Sequence, residues 1–443
     1  MTQFHFTKEL LGLKEKNIVL DDQPVTTQKK SGVDHMVLHG TLTYRPDGCP
    51  ACGVKNESSK DIIKHGTKSS AITLGQLNFR PLLLRLKKQR FLCKHCRTTF
   101  TATTSLVDRH CFISNPVKSA IAVELQETQS MKLIAKHFSV SSHTVIRVLR
   151  KAGDALKKTY WHLPRHLSVD EFKSVKPVSG AMSFLFIDAR THRLVDVVEN
   201  RQLAYLSDYF MRYPAEARHG VETVTMDMYS PYTQLVKACF PNARIIIDRF
   251  HLVQHLNRAV NSVRIQTMRA LRYTRPKDYR KLKKQWRLIL KNEWDLDYTT
   301  YRSHRLYEGA VSEKMMVQYM VQLDPRLERV YTLVNRLKAA LNSRDFSRFS
   351  HHLDEAKKVT LPRRVRTILQ TVDKYYSSIG HAFTYTLSNG AIEGMNNKIK
   401  NIKRSGYGYR NFYNLRARIL ISYQLTAPTH PPRALTFEEE DAV

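Results

Sequence analysis

The sequence predicts an α/β fold, a sheet of mixed direction with helices, carried behind a metal-binding module and a helical hairpin. Three observations predict it. Five short strand-like runs, Leu167–Phe172, Met182–Ile187, Arg193–Val198, Thr223–Asp227 and Arg244–Ile247, follow one another in the middle of the chain. Two Cys-x-x-Cys pairs, Cys49 with Cys52 and Cys93 with Cys96, precede them. From residue 249 to roughly Tyr376 the chain is rich in Leu, Lys and Arg, poor in Gly, and helical in pattern. The first three runs are linked by turns and the last two by helix-length stretches around Tyr205–Ala217 and Pro231–Phe240. A meander followed by strands alternating with helices makes a sheet with both parallel and antiparallel neighbours.

Charge bounds the partner. The 443 residues carry 72 Lys and Arg against 39 Asp and Glu, a formal charge of +33. Such a balance favours a polyanion, because each phosphate neutralised by Lys or Arg releases condensed counterions. It argues against a small-metabolite enzyme. A hydrophobic content of 42% excludes a disordered basic tail. No run of 18 apolar residues occurs, and Met1–Leu20 lacks a cleavable signal pattern, so a soluble intracellular protein with no membrane partner is expected.

Residues 1–45 have mixed propensity and one turn-like Ser31-Gly32; no function is read there. Residues 46–111 form the metal-binding module. Each Cys-x-x-Cys can offer two thiolates to one tetrahedral Zn²⁺, and four thiolates leave no open position, so the zinc is structural. The 40 residues between the pairs fit a zinc ribbon with an extended hairpin. From Ile62 to Val107 no acid occurs, and Leu82, Leu84 and Leu86 alternate with Leu83, Arg85 and Lys87 as in a half-buried strand. Cys111 and Cys239 read as buried small hydrophobes.

Residues 112–160 are helical and contain a helix-turn-helix pattern. Ser130–Phe138 is the first helix, with Ile134, Ala135 and Phe138 inward. Ser139-Val140-Ser141 is the turn, and Ser141 or Ser142 caps a second helix over His143–Lys151 that buries Val145, Val148 and Leu149. Its outer face shows Ser142, His143, Thr144, Arg147 and Lys151, groups suited to base edges and phosphates.

Acids at strand ends stand out in so basic a chain. Asp170 and Glu171 fall on opposite faces of one strand, and the pattern does not choose between them. Asp227 ends a later strand just before Ser230-Pro231, a helix cap and first position. Glu393 shares a polar helical stripe with Asn396, Asn397 and Lys400, opposite Ile392, Met395 and Ile399. Three carboxylates of this kind suit two divalent ions and phosphoryl transfer. For Asp188 and Asp196, turn and ion-pair roles suffice, the latter near Arg193 and Arg201.

Together and in this order, Cys49–Cys96, the helix-turn-helix, Ser168-Val169-Asp170-Glu171-Phe172, Met226-Asp227-Met228-Tyr229, Asp248-Arg249-Phe250-His251 and Ser388–Lys400 resemble a bacterial insertion-sequence transposase of the ISL-three type, a DDE transposase. The resemblance spans about Arg45 to Tyr423. It implies a ribonuclease H-like core in two parts, 161–255 and 381–425, with a helical insertion at 256–380 and a tail at 426–443. It implies Asp170, Asp227 and Glu393 as the catalytic, metal-binding triad and so selects Asp170 over Glu171. Two Mg²⁺ or Mn²⁺ per site are implied, with Asp248, His251, Asn396 and Asn397 supporting. The implied activity is binding of terminal inverted repeats, then DNA cleavage and strand transfer, by a homodimer or larger assembly on double-stranded DNA at the bacterial nucleoid. A DNA-binding regulator or a structure-specific nuclease of transposase descent is the alternative.

Basic stretches extend the expected DNA path. Arg264–Lys291 holds eleven Lys or Arg and one acid, Asp278, with Trp286 and Trp294 in or near it as stacking or core residues. Gly394–Phe437 holds no acid at all, and Lys398, Lys400, Lys403, Arg404 and Arg410 are expected along DNA leading to Glu393.

Overall fold

A computed structural model describes residues 3–30, 32–156 and 159–423. The tail expected at 426–443 and Ser31 of the expected turn lie outside the described residues. The chain divides into two compact units. One takes the described residues up to 156 together with 398–423, and the other takes 159–397.

The first unit opens with helix α1 (Gln3–Leu10) and strands β1 (Ile18–Lys30), β2 (Val33–Leu42), β3 (Ile62–Leu77), β4 (Arg80–Cys93) and β5 (Thr99–Thr101). They form one sheet in the order β1-β2-β4-β3, with β5 on β4. The N-terminal segment, silent in the sequence, thus supplies two strands of the sheet that carries the cysteines. On β4, Leu82, Leu84 and Leu86 are buried while Arg85 and Lys87 face out, the period-two pattern expected. Leu38, Leu42, Ile72 and Phe91 complete that face's core.

Three helices follow, α2 (Asn115–Glu124), α3 (Met131–His137) and α4 (Ser142–Ala155). The Ser130 hydroxyl accepts from Leu133 N at 3.1 Å and that of Ser141 from Thr144 N at 3.2 Å, so each helix starts at its capping serine. Ile134, Ala135, Val145 and Leu149 are buried against Val117, Ile121 and Leu125.

The second unit begins with β6 (His166–Lys173), β7 (Met182–Asp188) and β8 (Leu194–Val198). It continues through α5 (Leu203–Phe210), α6 (Ala215–His219), β9 (Thr223–Met226), α7 (Ser230–Cys239), β10 (Arg244–Ile247) and α8 (Arg249–Ala270). All five expected strands are present within one residue at each end. The sheet order is β10-β9-β6-β7-β8, with β10, β9 and β6 parallel and β7 and β8 antiparallel. The stretch around Tyr205–Ala217 is two helices, because Pro214 offers no N–H to continue the first and caps the second.

Helices α9 (Pro276–Lys284), α10 (Trp286–Leu290), α11 (Glu313–Val321), α12 (Pro325–Asn342), α13 (Phe346–Lys357), α14 (Arg363–Lys374) and α15 (Tyr376–Thr384) follow. The stretch is not helical throughout: Arg302–Ser303 pairs with Ala310–Val311 in a small hairpin, where Gly309 has φ +73°. These helices share one core with the sheet, since Val330, Leu337 and Phe349 belong to the same cluster as Phe184 and Val224.

Helix α16 (Gly390–Ser405) contains the division between the units, and α17 (Phe412–Ser422) ends the described chain. Ala417 and Ile421 join the core of α2, α3 and α4. Helix α4 runs past its expected end through Gly153, where an added Cβ would lie 2.7 Å from the Ala417 Cβ. A glycine there is required by close helix packing and does not stop the helix.

Candidate active site and cysteine cluster

Strand register brings the acids together. β6 pairs with β9 as His166↔Thr223, Leu167↔Val224 and Ser168↔Thr225. Extending that offset sets Asp227, just past the end of β9, abreast of Asp170. β9 pairs with β10 as Met226↔Ile247, so Asp248 comes next in the same row. Adjacent strands are about 4.8 Å apart, so three acids share one level of the sheet.

Each acid has a different partner. Asp170 turns toward α16, where Asn396 Nδ2 donates to its Oδ2 at 2.6 Å; its Oδ1 accepts from Glu171 N at 2.7 Å. Burial pushes the Asp170 carboxyl up to about 6, with the Asp227 charge adding to the rise. Glu171 points the other way. Arg201 Nη1 donates to both its oxygens, at 2.6 and 2.5 Å, and Tyr232 OH donates to Oε2 at 2.9 Å. That ion pair occupies Glu171, whereas Asp170 is held by a side-chain amide and a backbone N–H.

Asp227 Oδ1 meets His251 Nδ1. Burial of this ring opposes its protonation, but the bond and charge of Asp227 outweigh it, and the His251 pKa lies above its ordinary value. Asp248 is buried: its Oδ2 accepts from His251 N at 3.3 Å as the cap of α8, and its Oδ1 accepts from Asn389 N at 3.1 Å. It therefore fixes the start of α8 and the approach to α16.

Glu393 lies on α16 between two residues that touch β6. Asn389 Nδ2 donates to Val169 O at 3.4 Å, and Asn396 bonds Asp170. Glu393 and Asn396 lie one turn apart on α16, Asn396 buried and Glu393 exposed. Asn397 is exposed. Among the described residues, Asp170, Asp227 and Glu393 do not form a group with all ligand oxygens within 4.8 Å of one another. One ion would need that closeness, whereas two ions about 3.5–4 Å apart take ligands spread over a wider span.

Beside Asp227 opens a cavity of about 320 Å³ walled by Glu171, Tyr229, Tyr232, His251, His255 and Arg258. Glu171 reaches its wall, while Asp170 is not among its lining residues. His251, His255 and Arg258 fall at helical spacing on α8. That stripe was legible in the sequence, yet only His251 was singled out; Asn389, Arg201 and Tyr232 were likewise missed as site residues.

The four cysteines converge. Cys49 and Cys96 sulfurs lie 3.6 Å apart and those of Cys52 and Cys93 3.8 Å apart, with all four within 4.8 Å. Sulfurs about 2.3 Å from a tetrahedral zinc are separated by roughly 3.8 Å, so the cluster fits that ion and is too open for a disulfide. Cys239 is buried as expected, whereas Cys111 is only half-buried.

Several expected DNA-facing groups have other surroundings. His143, Arg147 and Lys151 are exposed on α4 and Ser142 is half-buried. Thr144 is a correction: at the third helical position it folds back, its hydroxyl 3.1 Å from Ser141 Oγ, and is buried. Lys398 Nζ donates to Ser422 O at 2.7 Å and so caps α17. Lys400, Arg404 and Arg410 are exposed and Lys403 half-buried. Asp196 is buried and accepts from Tyr209 OH at 2.5 Å. Asp188 accepts from Arg190 N and Thr191 N, the turn role expected. Trp286 and Trp294 are both exposed.

A family model described as transposase, of the ISL3 type, matches residues 167–419. The transposase for insertion sequence element IS1001 of Bordetella parapertussis is 24% identical over 337 residues, 74% of this chain and 78% of that one. A shorter stretch of 113 residues is 34% identical to an ATP-dependent protease of Lactococcus lactis subsp. lactis, over 26% of this chain and 36% of that one. No helix among the described residues is long and apolar enough to cross a membrane. With more than half of its length matched, from the first strand of the acid-bearing sheet to the final helix, the chain belongs to the ISL3-type family of insertion-sequence transposases.

Proposed function

We propose that the chain binds the terminal inverted repeats of its element and cuts and rejoins DNA at a ribonuclease H-like core, with Asp170, Asp227 and Glu393 as its triad. The register of β6 on β9, in which Asp170 and Asp227 follow as neighbours, and the bond to Asp170 from Asn396, one turn along α16 from Glu393, support this reading. The sheet order, with the first strand central and the last two parallel to it, supports the ribonuclease H-like assignment. The hairpin of α3 and α4, with serine-capped helices and a cationic outer face, supports a helix-turn-helix role, and the cysteine cluster supports structural zinc.

The donor set fits hard divalent cations. It consists of carboxylates alone, one of them raised by burial and a neighbouring carboxylate, and the buried Asn396 Oδ1 has no hydrogen-bond partner. Mg²⁺ or Mn²⁺ bound by the three acids supplies activation of water or a 3′-OH and stabilisation of the leaving oxygen. The protein's own groups do the positioning. Asn396 holds the Asp170 carboxylate, and His251 holds that of Asp227. Arg201 and Tyr232 keep Glu171 occupied, so it does not compete for the ions. Arg258, on the cavity wall, offers a cation to a backbone phosphate. Because two transposon ends must be paired before joining, the working form is a homodimer or larger assembly on DNA.

Incubation with Mn²⁺ and a labelled duplex carrying the ends of the element tests this. The wild-type chain yields cleaved and joined products. Asp227→Asn binds the duplex within about twofold but cuts at least ~10³-fold more slowly, the scale expected when charge stabilisation is removed. Cleavage by that variant at the wild-type rate overturns the triad.

A further inference from the structure

Strands β3 and β4 close on a two-residue loop. Leu77 pairs with Arg80, leaving Asn78 and Phe79 as the tip, with φ of +49° and +61°. Both central residues of such a turn are left-handed, a geometry that favours Asn followed by Gly. Phe is a poor choice on two counts: its Cβ opposes the left-handed backbone, and its ring is 98% exposed, with no core to enter. A costly residue held in a costly conformation points to a role outside folding.

The tip is anchored rather than loose. Gln76 Nε2, two residues before Asn78, donates to Lys136 O and to Ser139 Oγ, both at 2.9 Å. These are the last turn of α3 and the turn before α4. Thr73 bridges to Ile113, and Gly75 sits against Val117 of α2. The hairpin end is thus tied to the turn between α3 and α4 through Gln76, and to α2 and the residue leading into it through Gly75 and Thr73. Arg80, next to the tip in the chain, and Lys132, Lys136 and His137, on the helix that Gln76 reaches, are exposed, and no acid occurs anywhere between Ile62 and Val107.

We infer that Phe79 is a DNA wedge: its ring enters a base step of double-stranded DNA beside the site bound by α4, unstacking that step while the surrounding cations hold the backbone. An apolar side chain projecting from a rigid, cationic support is what such insertion requires, because the ring gains stacking on base faces in place of water. The inference rests on the DNA-binding reading of α3 and α4.

A duplex selected by the wild-type chain from random sequence, scanned with 2-aminopurine at successive positions, tests it. The wild type raises fluorescence at one step near one edge of the footprint. Phe79→Gly relaxes the turn and keeps or raises the Tm, abolishes that signal, and weakens binding roughly 5- to 100-fold, the range for losing one base stack. Phe79→Trp keeps the signal. Failure of the wild type to select any duplex sinks the DNA-binding reading. Selection with no unstacked step, or with a signal unchanged in Phe79→Gly, leaves that reading intact and overturns the wedge. Loss of self-association in Phe79→Gly with the fluorescence signal unaltered assigns the ring to a protein contact and also overturns it.

Discussion

At Asp170, burial and the neighbouring Asp227 charge act in the same direction and hold the carboxyl at about 6. Its folded pKa lies above the unfolded value, so the folded form retains a proton across roughly pH 4–6 and loses that stabilisation as pH rises through about 6. At neutral pH the ionised group is therefore a cost. Asp170→Asn is expected to stabilise the metal-free protein at pH 7 by about 1–3 kcal/mol while abolishing DNA cleavage. Urea unfolding in chelator measures the first effect, and a less stable variant contradicts the account. The sequence left Asp170 and Glu171 as equals because strand alternation assigns opposite faces without naming either. The difference lies in Arg201 and Tyr232, distant in sequence, which take Glu171.

Helix α17 illustrates what an element owes to distant chain. Arg418 on it is fully buried, and its Nη2 donates to Glu127 O at 2.6 Å and Gln129 O at 2.9 Å in the segment before α3. Arg418→Met leaves two carbonyls without donors and is expected to destabilise the first unit by about 2–4 kcal/mol, read as a lower unfolding midpoint with α2–α4 amides exchanging faster. Unchanged protection of those amides would count against it. On α12, Lys338 is buried with its Nζ 3.4 Å from Leu290 O, and burial lowers its pKa to about 8. The unfolded chain binds more protons between about pH 8 and 10.5, so stability rises with pH across that window. Lys338→Met is expected to raise stability at pH 7 by about 1–3 kcal/mol and to flatten that rise. A variant with the wild-type pH slope would show that Lys338 is not its source.

For the whole molecule, the cysteine cluster ties residues 49–52 to 93–96 within the first unit's sheet. One zinc per chain is expected by atomic emission, and Cys93→Ser is expected to hold almost none. Because binding energy at such a site is folding energy, chelation should lower the melting temperature of the first unit and weaken DNA binding with it. A chelated protein melting as before would refute a structural zinc. The expected insertion also takes its meaning at this scale. Its helices share one hydrophobic cluster with the sheet, so residues 256–380 are part of the second unit's core, not an appendage to it.

What the sequence by itself determined is everything set by short-range pattern: the five strands of the acid-bearing sheet, a capping serine at the start of α4, the two cysteine pairs, and the polar stripe of Glu393 and Asn396. Alternation, capping and metal-ligand spacing are local rules and survive without knowledge of neighbours. Tertiary structure alone decided the rest. That Glu171 pairs with Arg201 and Tyr232 while Asp170 meets Asn396 rests on residues remote in sequence. Thr144 folded back on its cap and Lys398 turned to α17, as short hydrogen bonds competed with solvent exposure. The β1–β2 pair joined the cysteine-bearing sheet because β2 meets β4 across 46 residues of offset, a long-range pairing that no local window contains.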